Sequence, residues 1–233
     1  MTHATKPEPR FDNLGELLEN MTGLLNKLGG IPAGRVRLNP FPGTATKRDL
    51  VRLHSREDKL YELVDRTLVE KPMGSPESYL ATEVIWQFRK FLDDHDLGFL
   101  YAPDALIEIL PDLVRGPDVC FVPWTKRPER TVPTEPISDL IPDLAVEVLS
   151  PSNTRGEILR KLKEYFLAGV ELVWVIDPIK RTADVHTAPD VKKSLDNTGT
   201  LDGGDVLPGF RLPLAKLFER LEKPKGKKPR KTK

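Results

Sequence analysis

The sequence predicts an α/β protein: a mixed sheet whose central strands are covered by helices on both faces. Three observations carry that prediction. "DLAVEVLS" and "ELVWVIDP" are nearly continuous apolar runs, the pattern of strands buried on both faces. A helix-like segment from about Asn153 to Ala168 joins them and is stopped by Gly169, which makes a strand–helix–strand crossover with neighbouring parallel strands. A second amphipathic helix, Pro76 to Asp93, carries Leu80, Val84, Ile85, Phe88 and Leu92 at helical spacing.

The remaining elements follow in chain order. Residues 1–12 read as disordered. Leu14, Leu17, Leu18, Met21, Leu24, Leu25 and Leu28 then recur with helical spacing, with Asn13 as N-cap and Gly29-Gly30 as the stop. Such a stripe must be covered, so this accessory helix is expected to dock on the body or to make a homodimer contact. Residues 31–45 are rich in Pro and Gly and read as a linker. Thr46 to His54 reads as a short helix, and "KLYELVDRTLVEK" as a hairpin turning near Asp65-Arg66. "LGFLYAPDALIEIL" gives two strands broken at Pro103-Asp104. "RGPDVCFVP" gives a single further strand with Asp118 at its start. "TADVHTA" is expected as an outer strand, "LDGGDVLPG" as a Gly/Asp-rich hairpin, and "LPLAKLFERL" as a short closing helix. The resulting boundaries are an N-terminal extension over 1–44, a main domain over 45–221 and a basic tail over 222–233.

Composition excludes several classes. No apolar run is long enough to cross a bilayer, and the first residues lack the apolar stretch of a signal peptide. The single cysteine, Cys120, rules out an internal disulfide and a cysteine-based zinc site, so a cytoplasmic protein is expected. His3, His54, His95 and His186 are scattered without ligand spacing. No Gly-rich phosphate loop with a following Lys-Ser/Thr occurs. The net charge of +1 conceals an asymmetry: "KPKGKKPRKTK" holds seven Lys/Arg and no acid, leaving 29 basic against 35 acidic residues elsewhere. Such a tail is suited to electrostatic contact with a phosphate backbone, or serves as a solubilising appendage.

One residue conflicts with its surroundings. Glu147 interrupts Leu144-Ala145-Val146-Glu147-Val148-Leu149, and an isolated buried carboxylate is costly. A hard cation shared with Asp118, if their strands are neighbours, would remove the conflict, and Mg²⁺ suits one or two carboxylates plus water and phosphate. A Glu facing solvent, or paired with Arg, would remove it equally.

"YELVDRTLVEKPMG", "GPDVCFV", "PDLAVEVLSPSNT", "RKLKEYFLAGVELVWVIDP" and "LDGGDVLPGFRLPL", in that order over roughly residues 45–220, resemble the Uma family of restriction endonucleases, within the PD-(D/E)XK nuclease superfamily. The resemblance implies a restriction-endonuclease-like core with flanking helices. It implies Mg²⁺-dependent, or Mn²⁺-dependent, hydrolysis of DNA phosphodiester bonds. It implies Asp118 and Glu147 as metal ligands, with the backbone carbonyl of Val148 as a further ligand. The superfamily's usual lysine position is Leu149 here, and the resemblance places the displaced lysine at Lys161 on the following helix. Lys163 would turn to another face. An acid on the first core helix is also implied, with Glu77 preferred to Glu83, although Glu77 also suits a first-turn acid complementing the helix dipole. Ser150 and Ser152 suit phosphate contact or capping of the 153–168 helix, and capping is the preferred role. The broken lysine motif and the acidic body also suit a catalytically inactive nucleic-acid-binding or interaction protein on a nuclease fold. The Leu-rich first helix suits an oligomeric adaptor.

Overall fold

The computed structural model describes residues 14–221; the expected cap Asn13, the leader over 1–12 expected to be disordered and the basic tail lie outside the described residues. Five helices are present among them: α1 (Leu14–Lys27), α2 (Lys47–His54), α3 (Ser75–Asp94), α4 (Arg155–Ala168) and α5 (Leu214–Leu217). Twelve strands accompany them: β1 (Leu60–Val64), β2 (Thr67–Lys71), β3 (Gly98–Tyr101), β4 (Ile107–Leu110), β5 (Leu113–Arg115), β6 (Val119–Pro123), β7 (Leu144–Val148), β8 (Leu172–Asp177), β9 (Thr182–Ala188), β10 (Val191–Leu195), β11 (Thr200–Asp202) and β12 (Arg211–Pro213).

The main sheet has six strands in the order β10-β9-β8-β7-β6-β3, mixed because β7 and β8 run parallel while the other neighbours are antiparallel. Alternation explains how it is covered. Leu144, Val146 and Val148 of β7, with Leu172, Trp174 and Ile176 of β8, pack in one core with Leu80, Val84 and Phe88 of α3. Ala145, Val173 and Val175 point the other way, into a second core with Leu162 and Tyr165 of α4. The central strands therefore read as unbroken apolar runs because both faces are buried.

A second sheet, in the order β2-β1-β5-β4, is antiparallel. The β1–β2 turn places Asp65 and Arg66 at positive φ, as a two-residue hairpin turn requires. The segment expected as one strand over "RGPDVCFVP" is two strands in different sheets. Gly116-Pro117 separates β5 from β6, and proline lacks the N–H that a continuous ladder needs. β3 and β4 likewise part to different sheets at Pro103-Asp104.

Three further expectations are corrected. "TADVHTA" forms β9 but is not outermost, because β10 pairs along its free side. The closing helix is only Leu214–Leu217, preceded by the β11–β12 hairpin. Residues 31–45 are not a loose linker: Ile31 and Val36 are core residues, Val36 bridges to Val69, and the Arg35 side chain is buried. Leu24 and Leu25 pack against the same core and Leu28 belongs to it, so the C-terminal part of α1 docks on the body.

A candidate active site of buried acids and lysines

Antiparallel pairing of β6 with β7 sets Val119 opposite Val146, which puts Asp118 beside Glu147. Asp118 brackets that residue. Its N–H donates to the Val146 carbonyl (2.9 Å), and its Oδ2 accepts the Val148 N–H (2.6 Å). Val148, whose carbonyl was expected as a ligand, contributes its N–H to Asp118. Glu147 lies on the α4 side of β7 and is 5% exposed; Asp118 is 3% exposed.

α4 supplies the answer to the Glu147 charge. Its first turn is capped by Thr154, whose hydroxyl accepts from the Glu157 N–H (3.0 Å), so neither Ser150 nor Ser152 is the cap. From this helix Lys161, 2% exposed, donates to both Glu147 carboxylate oxygens (3.2 and 3.0 Å). One turn on, the Tyr165 hydroxyl donates to Glu147 Oε1 at 2.5 Å. Lys163 points to solvent, as the helical rotation between the two lysines requires.

The structure adds side chains that the sequence reading missed. Glu62 of β1 lies 3.1 Å from Lys161 Nζ through Oε1, which also accepts the Gly116 N–H (3.2 Å). Arg115 of β5 donates to Glu62 (2.7 Å) and to Glu164 of α4 (2.5 and 2.8 Å). Lys71 of β2 pairs with Asp118 Oδ1 at 2.8 Å and donates to the Pro103 carbonyl (3.1 Å). Glu62 carried the same signal as Glu147, an acid inside an apolar strand, "LYELV". Glu77 does not join this chain of contacts: buried in the first turn of α3, its carboxylate accepts the Gly74 N–H (2.9 Å) and completes the helix start.

Three carboxylates, Glu62, Asp118 and Glu147, thus face three cations, Lys71, Arg115 and Lys161, in a nearly dry space. Burial raises the Glu147 pKa above the ordinary carboxylate range; Lys161 opposes this, and Asp118 and Glu62 add to it. Burial acts on Glu62 too, yet Lys161, Arg115 and Lys71 hold its pKa well below that range. Lys161, against its own desolvation, is held protonated by Glu147 and Glu62. Burial raises the Tyr165 phenol, so it remains a donor to Glu147. Cys120, on β6, is pushed up to about 12 by burial and is an inert thiol.

The donor chemistry suits a hard cation, since the side-chain acceptors are carboxylate oxygens only. Among the described residues no three metal-type side chains converge in ligating geometry, so a cation here would take two carboxylates and complete its shell with water or substrate oxygens. An open cleft of about 720 Å³ borders Lys71, with Lys59, Gly74, Ser75 and Ser78 on its walls.

The architecture is that of a nuclease-like α/β fold. It matches the crystal structure of a protein from Anabaena variabilis ATCC 29413, described as "a putative nuclease belonging to DUF820", with a TM-score of 0.65 and 17% identity over 75% of this chain and 97% of that one. The chain itself belongs to the Uma2 family, described as "Putative restriction endonuclease", whose family model matches residues 48–215. No curated protein matches it.

Proposed function

We propose that the chain is a Mg²⁺-dependent endonuclease that hydrolyses DNA phosphodiester bonds at the Asp118–Glu147 pair, with Mn²⁺ as a substitute ion. The observation that supports this most is that a lysine from α4 bonds a buried acid on β7 directly beside a second acid on β6. Family membership points to the same reaction. Asp118 and Glu147 would hold the ion, which when bound supplies polarisation of the scissile phosphate and a more acidic water.

The protein groups have separate tasks. Tyr165 and Lys161 fix the Glu147 carboxylate from one side, and Val148 N–H fixes Asp118 from another, so both acids are pre-oriented. The Lys161 ammonium also meets negative charge gathering on the phosphate, while Glu147 and Glu62, the latter held by Arg115, keep it protonated and in place. Of the site's charged groups Lys71 alone lines the open cleft, so a phosphate backbone entering there would meet the others past Lys71.

The test is plasmid nicking with Mg²⁺ or Mn²⁺ by the wild-type chain and by Asp118→Ala. Cleavage by the first and not by the second is expected. The inactive binding protein is the second reading, favoured by one observation: each of the three acids is already balanced by a protein cation. Intact plasmid, single-stranded DNA and RNA after incubation with wild-type protein and either ion would select it.

A further inference from the structure

Lys71 stands apart from the other cations of the site. Lys161 and Arg115 each join two or more carboxylates and are locked among them. Lys71 pairs with one, Asp118 Oδ1, and its other bond goes to the neutral Pro103 carbonyl. The remaining oxygen of Asp118 is taken by the Val148 N–H, so Oδ1 is the atom left for a cation, and an ammonium already holds it. Both side chains are at least nine-tenths buried, where an opposite charge at hydrogen-bond distance is weakly screened. Yet Lys71 closes β2 at the wall of the open cleft, so its long side chain has solvent to turn into.

We propose that Lys71 is the built-in counter-cation of Asp118. It positions this carboxylate in the metal-free chain, and a divalent ion must displace it to bind. The proposal rests on the reading of Asp118 and Glu147 as metal ligands. Positive charge is required beside Asp118, because the carboxylate lies next to Glu147 with Glu62 close by, and like charges in a buried space repel. The lysine meets that need without an ion. A divalent cation brings a larger charge to the same oxygen, and Lys71 moves into the cleft, where its ammonium is hydrated. Two cations at Oδ1 repel one another across a short, weakly screened distance, so an ion bound there drives Lys71 off the same atom.

Direct calorimetric titration with Mn²⁺ alone, without substrate, tests this on the full chain. Lys71→Met removes the competing charge and keeps an unbranched side chain of similar length. It should bind Mn²⁺ about tenfold or more tightly than wild type, the equivalent of about 1.4 kcal/mol. Lys71→Arg keeps the charge and should bind no more tightly than wild type. Lys71→Gln provides the same measurement if the Met variant does not fold, with folding read by near-ultraviolet circular dichroism. Equal Mn²⁺ affinity in wild type and Lys71→Met overturns the displacement and leaves the metal reading intact. Equal tightening in Met and Arg variants also overturns it, since charge would not be the cause. Absence of binding in wild type and all variants overturns both the displacement and the metal reading. Binding by Lys71→Met but not by wild type upholds the displacement and shows a metal site closed by its own lysine.

Discussion

Glu147 is tolerated in its strand because Lys161 and Tyr165 both bond it, not because it reaches water. That arrangement changes what substitutions report. Lys161→Ala leaves Glu147 and Glu62 buried without their shared cation and should cost about 3–5 kcal/mol of stability in urea unfolding. Lys163→Ala, on the exposed face, should stay within about 0.5 kcal/mol of wild type. Loss of cleavage in Lys161→Ala therefore counts as chemistry only where the fold survives. Glu147→Gln is the cleaner probe. Burial raises the Glu147 pKa in the fold, so the folded chain holds its proton to higher pH than the unfolded chain does. The stability this contributes is full below the unfolded carboxylate value and is lost as pH rises through the folded one. Glu147→Gln removes that loss while its amide oxygen still accepts from Tyr165. Unfolding free energy should fall less with rising pH through this window in Glu147→Gln than in wild type, and metal-dependent cleavage should disappear. Parallel pH profiles of the two chains would show that Glu147 is not perturbed by burial.

At the scale of elements, the feature least legible in the sequence is how α4 is held. Its N-terminal turn lies against Gly29: a Cβ on Gly156 would stand 2.4 Å from the Gly29 carbonyl oxygen, and Gly29 sits at φ +92°. The Thr154 hydroxyl donates to the same carbonyl (2.6 Å), and Arg160 donates to the Lys27 carbonyl (2.6 Å). Arg35 closes the latch with two bonds to Glu157 (2.9 and 2.6 Å). This helix carries Lys161 and Tyr165, so the chain before residue 44 sets the position of the candidate site. Gly156→Ala should cost about 1–3 kcal/mol through overpacking, read as a shift in the urea midpoint. An unchanged midpoint would mean that the helix and the Gly29 turn separate freely. Nothing local announces these contacts. Gly29 reads as a helix stop, Arg35 as a polar residue in a Pro/Gly-rich stretch, and both acquire partners more than a hundred residues away. The strands β7 and β8 and the helices α3 and α4 were legible for the opposite reason: periodicity and continuous apolar runs are local signals. Asp118, Glu147 and Lys161 were marked by an acid in an apolar run and by motif order. Glu62 bore the first of these marks, whereas Lys71 and Arg115 bore none, because their role is fixed by the pairing of a second sheet.

For the molecule as a whole, the family-matched stretch of 48–215 is not where its folded unit begins. Leu28, Ile31 and Val36 belong to the core under α4, and Arg35 is the partner of buried Glu157. Burying each of the three aliphatic side chains contributes about 1.5–3 kcal/mol. Losing Arg35 would further leave Glu157 without its cation, a change worth about 3–5 kcal/mol for a buried pair. The sum is comparable with the whole stability of an ordinary domain, about 5–15 kcal/mol. A chain starting at Thr44 is therefore expected to lose its cooperative thermal transition, although it retains every member of the candidate site. The homodimer contact proposed for α1 has to be sought with the full chain, by light scattering over a range of concentrations; a constant monomer mass would remove it. Circular dichroism melts of the full and shortened chains decide the core contribution. A shortened chain that melts cooperatively within a few degrees of the full one would show that residues 28–36 lie on a body already stable without them.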